Sequence, residues 1–170
     1  MVKNINRPVL ESYDNKVVQV LSLFSVFLFT LTYNVKNEIL LNTVFVDARR
    51  VYIRALVDFF KNQRCKSDDL IYGDFINTKF DLSINMSDSF RKEINKQTAH
   101  LTMLRGTFNV NDSEYEDMAR QIVSSITEFM NELGVQNIKE KYKAELEDDF
   151  AVELINTVLA QLLIIKSINS

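Results

Sequence analysis

Three glycines and one proline in 170 residues leave this chain little with which to build tight turns. Glycine supplies the positive φ that many turns require, and proline pre-sets the backbone at their corners. A sheet of short strands needs such residues at almost every strand end. Their scarcity predicts long, uninterrupted helices instead, because these same two residues are the ones that break helices. The chain therefore reads as all-α, a single-domain helical bundle of four to five helices spanning residues 1–170. At this length one domain buries roughly two thirds of its unfolded surface. Residues 1–12 read as a polar lead-in, with Pro8 just before or at a helix start.

The first strong element runs from about Val9 to Tyr33. Within it, Val17 to Val35 carries no charge over nineteen positions, which touches the length needed to cross a bilayer. Gln19, Ser22, Ser25, Thr30, Thr32 and Asn34 dilute the run, and its flanks show no clear basic asymmetry. A helix apolar on all sides is central or membrane-spanning, and here the dilution favours a buried core helix with no membrane. A second helix is expected from about Lys36 to Asn62. At 100° per residue, Asp47, Arg50, Arg54 and Asp58 fall within a stripe roughly 80° wide on an otherwise apolar cylinder. Arg54 and Asp58 stand four apart and can pair directly. Such a stripe is either a narrow solvated face or a polar seam facing other polar groups.

Between residues 63 and 88 the periodicity breaks, yet Leu70, Ile71, Tyr72, Phe75, Ile76 and Phe80 are too apolar for a free linker. The expectation is a long connection with a helical turn, packed over the bundle. A third helix opens near Ser87–Ser89 and carries Phe90, Ile94, Leu101 and Leu104 on one face. Glu93, Lys96 and His100 lie on one flank of that face, Asn95 and Arg105 on the other. A fourth helix starts at the capping box Ser113-Glu114-Tyr115-Glu116 and stops at Gly134. A fifth runs from Asn137 to about Lys166, with Phe150, Leu154, Val158, Leu162 and Ile165 at helical spacing.

Composition narrows the function classes. Hydrophobic residues at 46% and charged residues at 25% are ordinary for a globular protein. A net charge of −3 and a pI near 5.3 argue against a broad electrostatic footprint for nucleic acid, and no DNA binding is expected. The single cysteine, Cys65, has no neighbouring base and reads as an inert thiol that supports no zinc site. The opening residues show neither the apolar stretch nor the cleavage site of a secretory signal, so a cytoplasmic location is the expectation. No paired-histidine zinc motif, serine elbow or phosphate-binding glycine loop occurs. The pairs Asp68-Asp69 and Asp148-Asp149 are adjacent, point apart on a helix and read as solvated charges. No metal or cofactor is expected.

What remains is one histidine, several arginines and an amide. Histidine changes charge near neutrality, and with one copy any histidine-dependent proton transfer must pass through His100. That set suits metal-independent phosphodiester cleavage, in which histidine moves protons and arginine or lysine steadies the phosphorane. It equally suits simple anion binding, and a lone histidine in a helix seam is the plain alternative.

Two segments carry a resemblance. Arg54-Ala55-Leu56-Val57-Asp58-Phe59, followed by Asn95-Lys96-Gln97-Thr98-Ala99-His100-Leu101-Thr102, looks like a pattern found in a widespread group of small bacterial helical proteins. The second segment in turn resembles the signature of the higher-eukaryote-and-prokaryote nucleotide-binding (HEPN) superfamily, where an arginine precedes the histidine by four to six residues. The resemblance implies a helical bundle, commonly a homodimer, often with metal-independent ribonuclease activity in toxin–antitoxin or phage-defence systems. RNA and an antitoxin protein are the partners it implies. Here Asn95 stands where the motif arginine would, Arg91 lies too far upstream, and an amide carries no fixed charge.

The resulting site hypothesis sets Arg54 and Asp58 against the third helix, within a subunit or across a dimer. His100, with Asn95 and Lys96, forms the catalytic set. Lys96, Arg54 and Arg105 hold phosphate, and Asp58, with Asp47 on the same stripe, orients Arg54. A non-catalytic helical module that binds a protein partner or an anionic ligand is the alternative.

Overall fold

The computed structural model describes residues 15–33, 39–61, 69–77, 84, 86–99, 112–134 and 137–168, and for 39–43, 93, 95–99, 112 and 134 the backbone alone. The polar lead-in at 1–12 and Cys65 lie outside the described residues. Six α-helices and two 3₁₀ turns account for the order: α1 (Lys16–Thr32), α2 (Ile39–Phe60), α3 (Asp88–Ala99), α4 (Asp112–Gly134), α5 (Lys143–Leu146) and α6 (Asp149–Ile168), with 3₁₀ turns at Tyr72–Asp74 and Glu140–Tyr142. Five of the helices span twelve residues or more, and α5 is a single turn. No strand forms among the described residues; an isolated antiparallel bridge joins Ile76 to Ile138. The all-α reading holds, as a single-domain bundle.

The uncharged run is the central helix. Val17, Val18, Val20, Leu21, Phe24, Phe27 and Leu28 of α1 are all buried. The helix packs most extensively against α6 and next against α2. Phe24 sits at the hub of an aromatic cluster, its ring centroid 5.8 Å from Phe59, 5.7 Å from Phe60 and 5.3 Å from Phe129. Burying one such side chain stabilises the fold by roughly 1.5–3 kcal/mol. The other core positions recur at helical spacing: Ile53, Leu56, Val57 and Phe60 on α2, Phe90 and Ile94 on α3, Met118, Ile122, Ile126 and Phe129 on α4.

Both ends of α1 are satisfied from outside the helix. Asn15 caps the N-terminus, its side-chain oxygen accepting from the Val18 N–H at 2.9 Å. The Val17 N–H donates to the Glu145 carboxylate at 3.0 Å, and the Asn15 amide donates to the Glu145 carbonyl at 3.0 Å. An acid from α5 thus meets the positive end of the α1 dipole and one of its orphan donors. At the other end, Arg49 of α2 donates to the Thr30 carbonyl, one of the last carbonyls without an intrahelical partner.

The connection covers the core as expected. Tyr72, Phe75, Ile76, Ile84 and Met86 are buried, and Phe75 stacks on Tyr142 at 4.6 Å. The Lys139 N–H donates to the Phe75 carbonyl at 2.7 Å, and the Asn77 N–H to the Asn137 carbonyl at 3.1 Å.

The single helix expected from Asn137 to Lys166 is instead broken in three. Asn137–Lys139 is held extended by the bridge to the connection. The 3₁₀ turn and α5 follow, and Asp148 then starts a new helix: its carboxylate accepts from the Phe150 N–H at 2.9 Å and the Ala151 N–H at 3.3 Å. Asp148 is therefore an N-cap rather than merely a solvated charge, which ends the preceding turn. α4 begins at Asp112, one residue before the expected cap, so Ser113 lies inside its first turn.

The membrane-length criterion also moves. α1 stops after 17 residues, short of the about 20 typical of a spanning helix. Among the described residues, α6 is the one helix long and apolar enough to cross a membrane, by length and composition only.

Candidate functional site

The polar stripe of α2 divides its four charges among three neighbours. Nearest the N-terminus, Arg50 Nη1 lies 3.2 Å from Asp47 Oδ1, and the Arg50 guanidinium stands 5.5 Å from the centre of the Tyr115 ring on α4. This is a cation–π distance. One residue earlier, burial lowers the pKa of Arg49 from its ordinary value by desolvating the charge. Its Nη2 donates to the Thr30 carbonyl.

Further along, Arg54 is exposed and lines a cleft of about 520 Å³. The cleft lies between α1, α2 and the connection, with Gln19, Leu23, Asp58, Leu70 and Ile71 among its walls. Asp58, in the wall of the same cleft, is engaged by α3. Its Oδ1 accepts from Arg91 Nη2 on α3 at 2.6 Å. The two side chains are 35% and 39% exposed, so the pair is half-screened by water, and a pair of this kind contributes about 0–1 kcal/mol.

This corrects the sequence reading in two places. Asp58 pairs with Arg91 rather than Arg54, and Asp47 pairs with Arg50 rather than orienting Arg54. Asp58 gains a close charge-assisted bond to another helix over an exposed i,i+4 pair that contributes only a few tenths of a kcal/mol, whereas Asp47 lies seven residues from Arg54 and within i,i+3 reach of Arg50.

Arg91 is the residue that sequence spacing missed, because nine residues separate it from His100. A signal was present all the same. With Phe90 and Ile94 both in the core, Arg91 is about 60° round the helix from Ile94 and must sit at the boundary between buried and solvated surface. Boundary cations reach for acids on the neighbouring helix.

Helical register then ranks the remaining candidates on α3. By register alone Asn95 follows Arg91 by one turn, about 40° away, and Lys96 lies about 140° round. The backbone of both belongs to α3, while their side chains, and all of His100 and Arg105, lie outside the described residues. Among the described residues no three His, Cys, Asp or Glu side chains gather where they could hold one metal ion.

The arrangement offers anion chemistry at one place. Arg54 presents a guanidinium, five donors in a rigid fork, to a cleft that Gln19, Asp58 and Asp69 also line. The Asp58–Arg91 pair locks α3 beside it. Comparison of the chain with family models, with curated proteins and with solved structures finds no match in any of the three.

Proposed function

We propose that this chain is a HEPN-like, metal-independent ribonuclease of the toxin or phage-defence kind, degenerate where Asn95 replaces the motif arginine. One observation carries the reading: the 2.6 Å contact between Asp58 and Arg91 fastens together the two helices that bear the resemblance, beside the exposed Arg54. In this scheme His100 takes the proton from a ribose 2′-hydroxyl as its oxygen attacks phosphorus. The bond from phosphorus to the 5′-oxygen breaks, leaving a 2′,3′-cyclic phosphate, and the protonated His100 returns that proton to the departing 5′-oxygen. Arg54, Arg105 and Lys96 hold the phosphate and its developing charge. Asp58 acts as a positioning residue through Arg91 and keeps α3 at its place on α2. The protein works in the cytoplasm as a homodimer, restrained by an antitoxin protein.

The test is cleavage of a mixed RNA pool by the full chain in chelator-treated buffer. His100→Ala should abolish it while leaving the helical circular-dichroism signal intact, since positioned proton transfer is worth about a hundred-fold or more. No cleavage by the wild-type chain, or cleavage unchanged in the variant, overturns the catalytic reading. The second reading, a non-catalytic module that docks a protein partner, draws on the apolar face that α6 leaves exposed: Val152, Leu159, Leu163 and Ile164 are 43–69% exposed.

A further inference from the structure

Among the described residues, α6 leaves an apolar face uncovered. Of its twenty residues only Ala151 and Val158 are fully buried, and Leu163 is 69% exposed. An apolar face of this size marks an interaction surface. Its sequence carries a pattern that specifies what covers it. Val152, Asn156, Leu159 and Leu163 are all exposed and follow one another at spacings of four, three and four, the heptad seam of a coiled coil. The same repeat runs on to Asp149 before and Lys166 after, both also exposed.

We propose that a second copy of this chain covers the face, through antiparallel pairing of the two α6 helices about a two-fold axis. One register satisfies every layer. Val152 meets the second copy's Leu163, Asn156 meets the second copy's Leu159, and Asp149 meets the second copy's Lys166. Each contact occurs twice, as a closed isologous interface requires. The end layers are opposite charges, at both ends. In the parallel arrangement Asp149 would face Asp149 and Lys166 would face Lys166, a repulsion at each end. The two Asn156 amides fall on either side of the two-fold axis, about 4.5 Å apart along the helix direction. There they can bond to each other, the use that coiled coils make of a lone polar residue in the seam to fix register.

The groove between α4 and α6 extends this surface. It is about 1070 Å³ and shares Leu159, Leu163 and Lys166 with the seam. A membrane surface is the less suitable occupant. Glu145, Glu147, Asp148, Asp149 and Glu153 crowd the start of the helix and would be repelled by anionic lipid headgroups. The pairing does not rest on the ribonuclease reading.

Sedimentation equilibrium of the full chain at tens of micromolar tests it. The wild type should sediment as a dimer. Leu163→Glu, at a position exposed in the single subunit, should weaken the dimer at least about tenfold with an unchanged circular-dichroism spectrum. Lys166→Glu should weaken it too, and Asp149→Lys combined with Lys166→Glu should restore it, because the reversed charges meet again only in the antiparallel register. A wild-type monomer, a dimer indifferent to Leu163→Glu, or failure of the double reversal to rescue would overturn the proposal. Flotation of the wild type with phosphatidylcholine vesicles, lost in Leu163→Glu, would overturn it in favour of a lipid surface.

Discussion

Asp58 and Arg91, 33 residues apart in the chain, meet at 2.6 Å across the α2–α3 interface, and Arg54, one turn from Asp58 on its own helix, is left facing the cleft. The pair does two things at once. It positions the helix that carries Asn95, Lys96 and the approach to His100, and it frees the neighbouring guanidinium from its local acid. Arg54 shares that cleft with Asp58 and Asp69, so its attraction for phosphate is offset in part by two carboxylates.

The stability carried by this pair is expected to be small. In a double-mutant cycle of Asp58→Ala and Arg91→Ala, the coupling should come out below about 1 kcal/mol and shrink further in high salt, because both side chains are more than one-third exposed. Urea denaturation of the four proteins measures it.

Phe24→Ala should cost far more. Its ring is fully buried and contacts three further rings at 5.3–5.8 Å, so truncation leaves a cavity in the centre of the bundle. A loss of about 3–5 kcal/mol is expected, a large share of a domain's total stability, read from the shift of the urea midpoint.

Glu145→Ala removes the acceptor of the Val17 N–H and leaves an orphan donor at the start of the central helix. A cost of about 0.5–2 kcal/mol is expected, the range for losing an N-terminal cap. Glu145→Gln, which keeps an acceptor but removes the charge facing the helix dipole, should fall between wild type and alanine in thermal denaturation.

Arg49 gives a prediction about pH. Burial lowers its pKa below the ordinary arginine value, so the unfolded chain binds the proton more tightly than the fold does. The penalty is fully present below the lowered value, and stability rises only as pH climbs from that value towards the ordinary one. Across the neutral range Arg49 therefore contributes no slope. The stability–pH curves of the wild type and of Arg49→Met should run parallel there, and a divergence would show that the charge has a different environment.

Arg54→Gln tests the cleft apart from the histidine. With Arg54 exposed and its local acid engaged elsewhere, the substitution should leave stability within about 0.5 kcal/mol and weaken RNA binding measured by fluorescence anisotropy. Loss of stability without loss of binding would assign Arg54 to the scaffold instead.

Some of this was legible in the sequence because it is local. The poverty of glycine and proline, the uncharged run from Val17 and the periodicity of α2 and α4 act within a few residues of one another. They determine helices wherever the chain goes. The packed connection could be read for the same reason, since Tyr72, Phe75 and Ile76 have no use in solvent.

The break before α6 was not legible. Periodicity runs on across it, and only the bridge from Ile76 to Ile138 and the turn that brings Glu145 to the start of α1 make a second helix start at Asp148 worthwhile. Nor was the site's wiring legible. Spacing proposed Arg54 as the partner of Asp58 because four residues along a helix is the nearest distance a sequence displays. Packing decided for Arg91, because the core residues Phe90 and Ile94 bring a cation from another helix to the same acid at shorter range. Local propensity determined the cylinders, and the burial of apolar faces across long chain separations decided which polar residues meet, since only contact sets the strength of a charge pair in water.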